Sequence, residues 1–356
     1  MTKSSYDANC GSTFHMQAKA RFVNPRSGFT VLELMIALVL GLLIVAAGTA
    51  VFLSGQRSLG LQGSMNELQQ NANFGLAMIA HDLRHANLNT DSTQRVNNKV
   101  VGSGVIFDIE NLPSSLRDSV GDTFFTRQNV DEAATDIAND QLTIQYIPEY
   151  RKIIKRECTK EDGCEDESEK EDLISYEAKN VDCEGQRMVF DEPRIIVQRY
   201  HLKPDPVQIS GQPRAYSLYC DAGHYVAGND VITGMSDAGN GQQLMQRVDA
   251  FKVRLGVKAP NKTMRYMTID EYIDAMDGIT NEKEYLNVMS VEIGILARST
   301  TPLNQENLIN TSQLFNVIGN EMTLKTGAGV NNQQGTKYLR EVFSQVVAFR
   351  NTLGAS

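Results

Sequence analysis

Four groups of residues in this 356-residue chain have the types and spacing to do chemistry. Glu33 is the single charge in the 25 residues from Phe29 to Leu53, so its carboxylate sits either at the edge of an apolar environment or paired inside one. His81 and His85 stand four apart with Asp82 between them in the string HDLRH, which on a helix sets both imidazoles on one side. Cys158, Cys164, Cys183 and Cys220 are an even set, enough for two disulfides. The stretch RECTKEDGCEDESEKED, residues 156–172, gathers nine acids against three bases. Within it Glu161, Asp162, Glu165 and Asp166 are oxygen donors of the kind a calcium ion takes.

The histidine pair is similar to part of the H-E-x-x-H motif of zinc hydrolases, which makes a membrane-anchored metallohydrolase using His81 and His85 a distant alternative function. Against it, Asp82 is shorter than the Glu that must reach a zinc-bound water, no third ligand is visible downstream, and Leu83 sets the apolar stripe between the two rings. No metal is expected at this pair. Neither G-x-S-x-G nor a P-loop is present, so no nucleophile or nucleotide cradle points to an enzyme. The acidic run lacks EF-hand spacing and reads as an exposed, solvated loop, with calcium as its one candidate cofactor. For the cysteines three pairings are open. Cys158–Cys164 with Cys183–Cys220 is favoured, because the first pair flanks a loop in which Gly163 can turn. Disulfides of this kind persist outside the cytoplasm.

The elements that must position these residues begin with the apolar run. About 20 apolar residues cross a bilayer as a helix, so Phe29–Leu53 can span one. A carboxylate well inside a span costs roughly 2.5–3.5 kcal/mol. Glu33 lies only about 6 Å of helix rise beyond Phe29, so snorkelling to the headgroups is its plainest reading. Lys3, Lys19, Arg21 and Arg26 against Asp7 give residues 1–28 a balance of +3, leaving −12 for the rest of a chain whose total is −9. Positive charge before the span predicts a cytoplasmic N-terminus and a translocated body. That acidic body argues against direct nucleic-acid binding, which depends on cations neutralising phosphates.

Beyond Leu53 the pattern stays helical. Leu61, Met65, Leu68, Ala72, Leu76, Ile79, Leu83 and Ala86 form one apolar stripe at steps of three and four. No proline lies between Pro25 and Pro113, and the glycine-rich stretch 54–64 is the expected bend or locally melted part. Residues 89–140 read as an irregular connection. Strand patterns follow at 141–150, 187–190, 194–202, 215–220, 243–257 and 287–299, several alternating polar with apolar as a sheet with one covered face should. The predicted fold class is α+β: a long N-terminal helical stem, half membrane and half amphipathic, packed on one antiparallel sheet domain.

The string Gly28-Phe29-Thr30-Val31-Leu32-Glu33, with basic residues before it and the apolar run after it, resembles the processing site of type IV pilins and pseudopilins. The resemblance implies cleavage between Gly28 and Phe29 by a prepilin peptidase, N-methylation of Phe29, and Glu33 as an assembly acid that pairs with the amine of a neighbouring subunit. Residues 1–28 are then a leader, 29–53 the transmembrane and filament-core helix, 54–88 the amphipathic half of the stem and 89–356 the globular domain. That leader is long for the family. Met16 offers a second start, giving the 13-residue leader MQAKARFVNPRSG.

MIAHDLRHANL, VDAFKVRLGV, VEIGILARS and YLREVFSQVVAFRN (338–351) resemble W-type minor pilins in particular. The implied protein is a non-enzymatic pilus subunit that joins other minor pilins and the major pilin, helps initiate assembly near the tip, and can hold a tip adhesin there. It would reside in the inner membrane before assembly and at the cell surface after it, and would serve twitching motility, adhesion and, indirectly, DNA uptake. The alternative is a J-type pseudopilin of a type II secretion system, which shares stem, acid and sheet.

Overall fold

The computed structural model describes residues 28–90, 94–131, 134–158, 170–209, 214–235, 241–303, 313–324 and 338–350. The chain forms two units, residues 1–57 and 58–356. One helix, α1 (Val31–Leu83), supplies the described helical part of the first and opens the second.

In the first unit every described residue is exposed, including Phe29, Leu32, Ile36, Val39 and Leu43. A helix that is apolar all round and covered by nothing is made for a non-aqueous surrounding, either lipid or other helices. This stretch is long and apolar enough to cross a membrane. The local melting expected at 54–64 is not there. Gly55, Gly60 and Gly63 lie inside an unbroken 53-residue helix. Glycine weakens a helix by only about 1 kcal/mol per residue and leaves its hydrogen bonds in place, whereas the proline that would remove one is absent.

In the second unit the packed face of α1 is Ser64, Leu68, Ala72, Gly75, Leu76, Ile79, Ala80 and Leu83. It starts at Ser64, hydrogen-bonded to the Thr301 hydroxyl at 3.2 Å, and not at Leu61 or Met65, which keep solvent exposure. Gly75 is on this face, where a larger residue would make Met245 shift. A Cβ there would collide with the Met245 methyl and lie 3.1 Å from Met245 Cβ. The helix ends where Asn87 and Asn89 take positive φ angles of 62° and 56°, a backbone state asparagine tolerates better than most residues.

Two antiparallel sheets share one core with this face. The five-stranded sheet runs β1 (Arg127–Asp131), β2 (Asn139–Tyr146), β6 (Ile195–Pro204), β7 (Tyr216–Tyr225), β8 (Gln242–Gln246). The four-stranded sheet runs β10 (Met264–Met267), β9 (Val248–Lys258), β11 (Asn287–Arg298), β14 (Arg340–Ala348). A three-stranded sheet of β3 (Tyr150–Cys158), β4 (Lys170–Val181) and β5 (Arg187–Phe190) and a two-stranded ribbon of β12 (Phe315–Val317) and β13 (Asn320–Met322) complete the strands. The α+β class holds, but the one expected sheet is four among the described residues. The single strand predicted over 243–257 breaks at Arg247, whose φ of 57° ends β8 in one sheet and lets β9 start in the other.

Three further departures have local causes. The stretch 89–140 is not merely irregular: it holds β1, the start of β2 and short 3-10 turns. Its loop is tied by the buried Asn111, whose amide donates to Asn97 O at 2.8 Å and Val100 O at 2.9 Å and whose oxygen accepts from Phe107 N at 2.9 Å. The ends of the supposed loop 156–172 are strand, because β3 and β4 form a nine-pair hairpin. Helix α2 (Ile269–Met276) opens on a capping box in which Thr268 and Glu271 each accept from the other's backbone.

The four-stranded sheet is pinned by buried charge. Asp249 on β9 accepts from Arg340 Nε at 2.6 Å and pairs with Arg298 at 3.3 Å, and all three side chains are buried. Asp249→Ala strands two guanidinium groups in the interior, and such a loss typically costs about 3–5 kcal/mol. Urea unfolding of the detergent-solubilised chain, followed by far-ultraviolet circular dichroism, should show a fall of that size; a change within about 0.5 kcal/mol, ordinary for a surface substitution, would contradict it.

Candidate functional site

The first site is the start of α1. Thr30 occupies the cap position and Glu33 the third helical position. The Thr30 N–H donates to Glu33 Oε2 at 3.0 Å, its hydroxyl lies 3.2 Å from the same oxygen, and the Glu33 N–H donates to Thr30 Oγ1 at 3.2 Å. This is a reciprocal capping box that satisfies backbone donors left over at a helix start, and the acid also faces the positive end of the helix dipole. The sequence carries the matching T-x-x-E signature, Thr30 to Glu33, at the start of the apolar run. Both contacts to the Glu33 carboxylate fall on Oε2, and Oε1 makes no hydrogen bond among the described residues. Gly28 and Phe29 precede the helix outside regular secondary structure, and Phe29 is 89% exposed, so the bond between them is not covered by the described residues.

Residues 23–49 match the prokaryotic N-terminal methylation motif, and residues 210–351 match the Type IV Pilus-assembly protein W family. Over these two stretches, together less than half of its length, the chain is similar to type IV pilins. A type IV-like pilin from Thermus thermophilus is similar to it at 11% identity and a TM-score of 0.32, covering 80% of this chain and 98% of that one. No curated protein matches the chain. The pilus-assembly family match takes in β9, β11 and β14, the adjacent strands that carry VDAFKVRLGV, VEIGILARS and YLREVFSQVVAFRN and that Asp249, Arg298 and Arg340 hold together.

The cysteines divide between described and undescribed chain. Cys183 and Cys220 form a disulfide with Cα atoms 6.1 Å apart, both buried in the core under α1. It ties the turn between β4 and β5 to β7, and so joins the three-stranded sheet to the five-stranded one. Cys158 is disulfide-bonded, while its expected partner Cys164 lies outside the described residues. Glu161, Asp162, Glu165 and Asp166, the calcium candidates, also lie outside them, as do Met16 and the rest of 1–27.

The histidine pair falls where α1 ends. Leu83 turns into the core and does not stand between the rings, whose centroids are 4.7 Å apart. Asp82 is drawn in with them. Its Oδ1 lies 3.2 Å from His81 Nδ1, and its Oδ2 accepts from the buried Tyr200 hydroxyl at 2.9 Å. Burial and then the Asp82 charge hold the Tyr200 phenol far above its ordinary range, so it stays a donor. Burial, then the neighbouring His81, lowers the His85 pKa from its ordinary value.

A cleft of about 490 Å³ lies elsewhere, between the 107–128 loop and α2. Asp108, Asp122, Asp270 and Asp274 line it, and Arg127 pairs with Asp122 at 3.3 Å.

Cys183→Ser opens a loop of 37-residue separation, and chain entropy puts the loss of stability at about 4 kcal/mol. Thermal unfolding of the variant beside reduced and oxidised wild type checks this. Reduced wild type should approach the variant, and equal midpoints for all three would refute the bridge's role.

Proposed function

We propose that this chain is a minor pilin: a non-enzymatic structural subunit that helps initiate a type IV pilus in a complex with other minor pilins near the tip. The observation that carries the reading is Glu33. An apolar helix that only anchored a domain would gain from losing a carboxylate near its start. Here the acid is kept, one oxygen is committed to the helix cap and the other is left over. Cleavage between Gly28 and Phe29 leaves Thr30 and its cap intact and creates an ammonium group on Phe29. When helices leave lipid and pack together, the Oε1 of one subunit can pair with the ammonium of the next, and a buried charge is tolerable when paired.

On this reading a prepilin peptidase processes and methylates Phe29. The exposed apolar helix passes from the inner membrane, with its N-terminus cytoplasmic, to the filament core among other minor pilins and the major pilin. The match to the pilus-assembly W family supports a pilus and not the type II secretion system of a J-type pseudopilin. Twitching, adhesion (with an adhesin held at the tip) and DNA uptake follow from building the fibre; with −12 on the mature chain, direct DNA binding is not part of the proposal.

The test is deletion of the gene, followed by counts of surface pili and an assay of secretion. Pili should fall at least tenfold with secretion intact. Wild type should restore them, and Glu33→Leu should insert in the membrane at wild-type level without restoring them. Full rescue by Glu33→Leu would refute the pairing. Normal piliation with lost secretion would move the chain to the secretion system.

A further inference from the structure

We propose that His81, Asp82 and His85 form a binding site for one divalent transition ion of the zinc type, at the point where α1 gives way to the sheets. The inference concerns the globular unit and does not rest on the proposed function.

The geometry supplies what the linear sequence lacked. One ligand atom from each of the three residues lies within 4.8 Å of the other two. His81 Nδ1 and Asp82 Oδ1 are 3.2 Å apart. Two ligands about 2.1 Å from an ion at a near-tetrahedral angle stand about 3.4 Å from each other, so this pair is spaced as ligands of one ion are. His85, one turn on, closes the third corner with its ring against that of His81.

Two imidazoles and one carboxylate form a donor set for zinc, cobalt, nickel or copper, and not for calcium or magnesium, which take oxygen. The three side chains also have outer partners of the kind that orient metal ligands. The Tyr200 hydroxyl holds the second oxygen of Asp82, and the Asn180 amide lies 3.1 Å from His85 Nε2. An amide can present either its oxygen or its NH2, so Asn180 orients the ring in whichever tautomer leaves a lone pair for the ion.

A cleft of about 430 Å³, walled by Phe74, Ala77, Met78 and Val181, opens beside His81 and Asp82. Three protein ligands leave a coordination position, and that position faces this cleft, where a water or a donor from outside the chain completes the shell. Asp82 is fixed by Tyr200 as a ligand, while Asp182 also lines the cleft. The ion ties the last turn of α1 to the turn that follows it, so binding favours the folded helix end by mass action.

The experiment uses the full chain in detergent, purified without a histidine tag and stripped with chelator. Zinc is titrated calorimetrically, and cobalt is added as an optical probe. The expected result is one zinc per chain, a raised thermal midpoint, visible d–d bands of a low-coordinate cobalt site, and no displacement by excess calcium. His81→Ala and His85→Ala should each weaken binding at least tenfold, and Tyr200→Phe about tenfold.

The His81 side chain is 62% exposed, so His81→Ala should keep the metal-free thermal midpoint of wild type. That variant carries the test if His85→Ala is unstable. Absence of stoichiometric zinc, displacement by calcium, or wild-type binding in His81→Ala would each overturn the proposal.

Discussion

The globular unit depends on the seating of one helical face, from Ser64 to Leu83, against strands of two sheets at once. Leu68, Leu76, Ile79 and Leu83 share a core with Leu142, Leu218, Phe251, Val253 and Ile293, so neither sheet has a complete interior without the helix. Gly75 sets the depth of that seating, because the backbone there rides against Met245. The disulfide from Cys183 to Cys220 enters the same core and brings the three-stranded sheet with it. At the far edge, Asp249 gathers Arg298 and Arg340, so that charge pins the strands farthest along the chain.

The same helix, followed back to its start, faces a different constraint. Apolar side chains cover every side of it, and water can be the final surrounding of none of them. Thr30 and Glu33 resolve the helix start in a way that suits both lipid and a filament. The cap satisfies backbone donors locally, so the acid needs no outside partner to exist in the membrane, yet it keeps an oxygen for one. Capping and assembly are therefore compatible uses of one carboxylate.

What could be read in advance follows from how local the cause is. The long helix, its apolar half and the strands near 187–190, 195–204 and 287–298 are written in periodicity, which needs no knowledge of distant chain. The sheet switch at Arg247 was hidden because both strands alternate alike and only the backbone angle at one residue separates them. Strands β3 and β4 were hidden because both faces of that hairpin are largely exposed, so its sequence, YRKIIKREC among acids, carries little burial signal. Helix α2 and the cap at Thr30 share a T-x-x-E pattern that was present and unused. The metal-ligand spacing of His81, Asp82 and His85 could not be read in that way. It depends on Tyr200 and Asn180, residues about a hundred positions away that reach the helix end only in the folded chain.

The account stands or falls on whether this chain becomes part of a filament through its new N-terminus. The most direct measurement is mass spectrometry of the chain's N-terminal peptide from sheared, purified pili. The account predicts a peptide that begins at Phe29 and carries one N-methyl group. A chain found only in the membrane fraction, or one that retains Gly28, would contradict it.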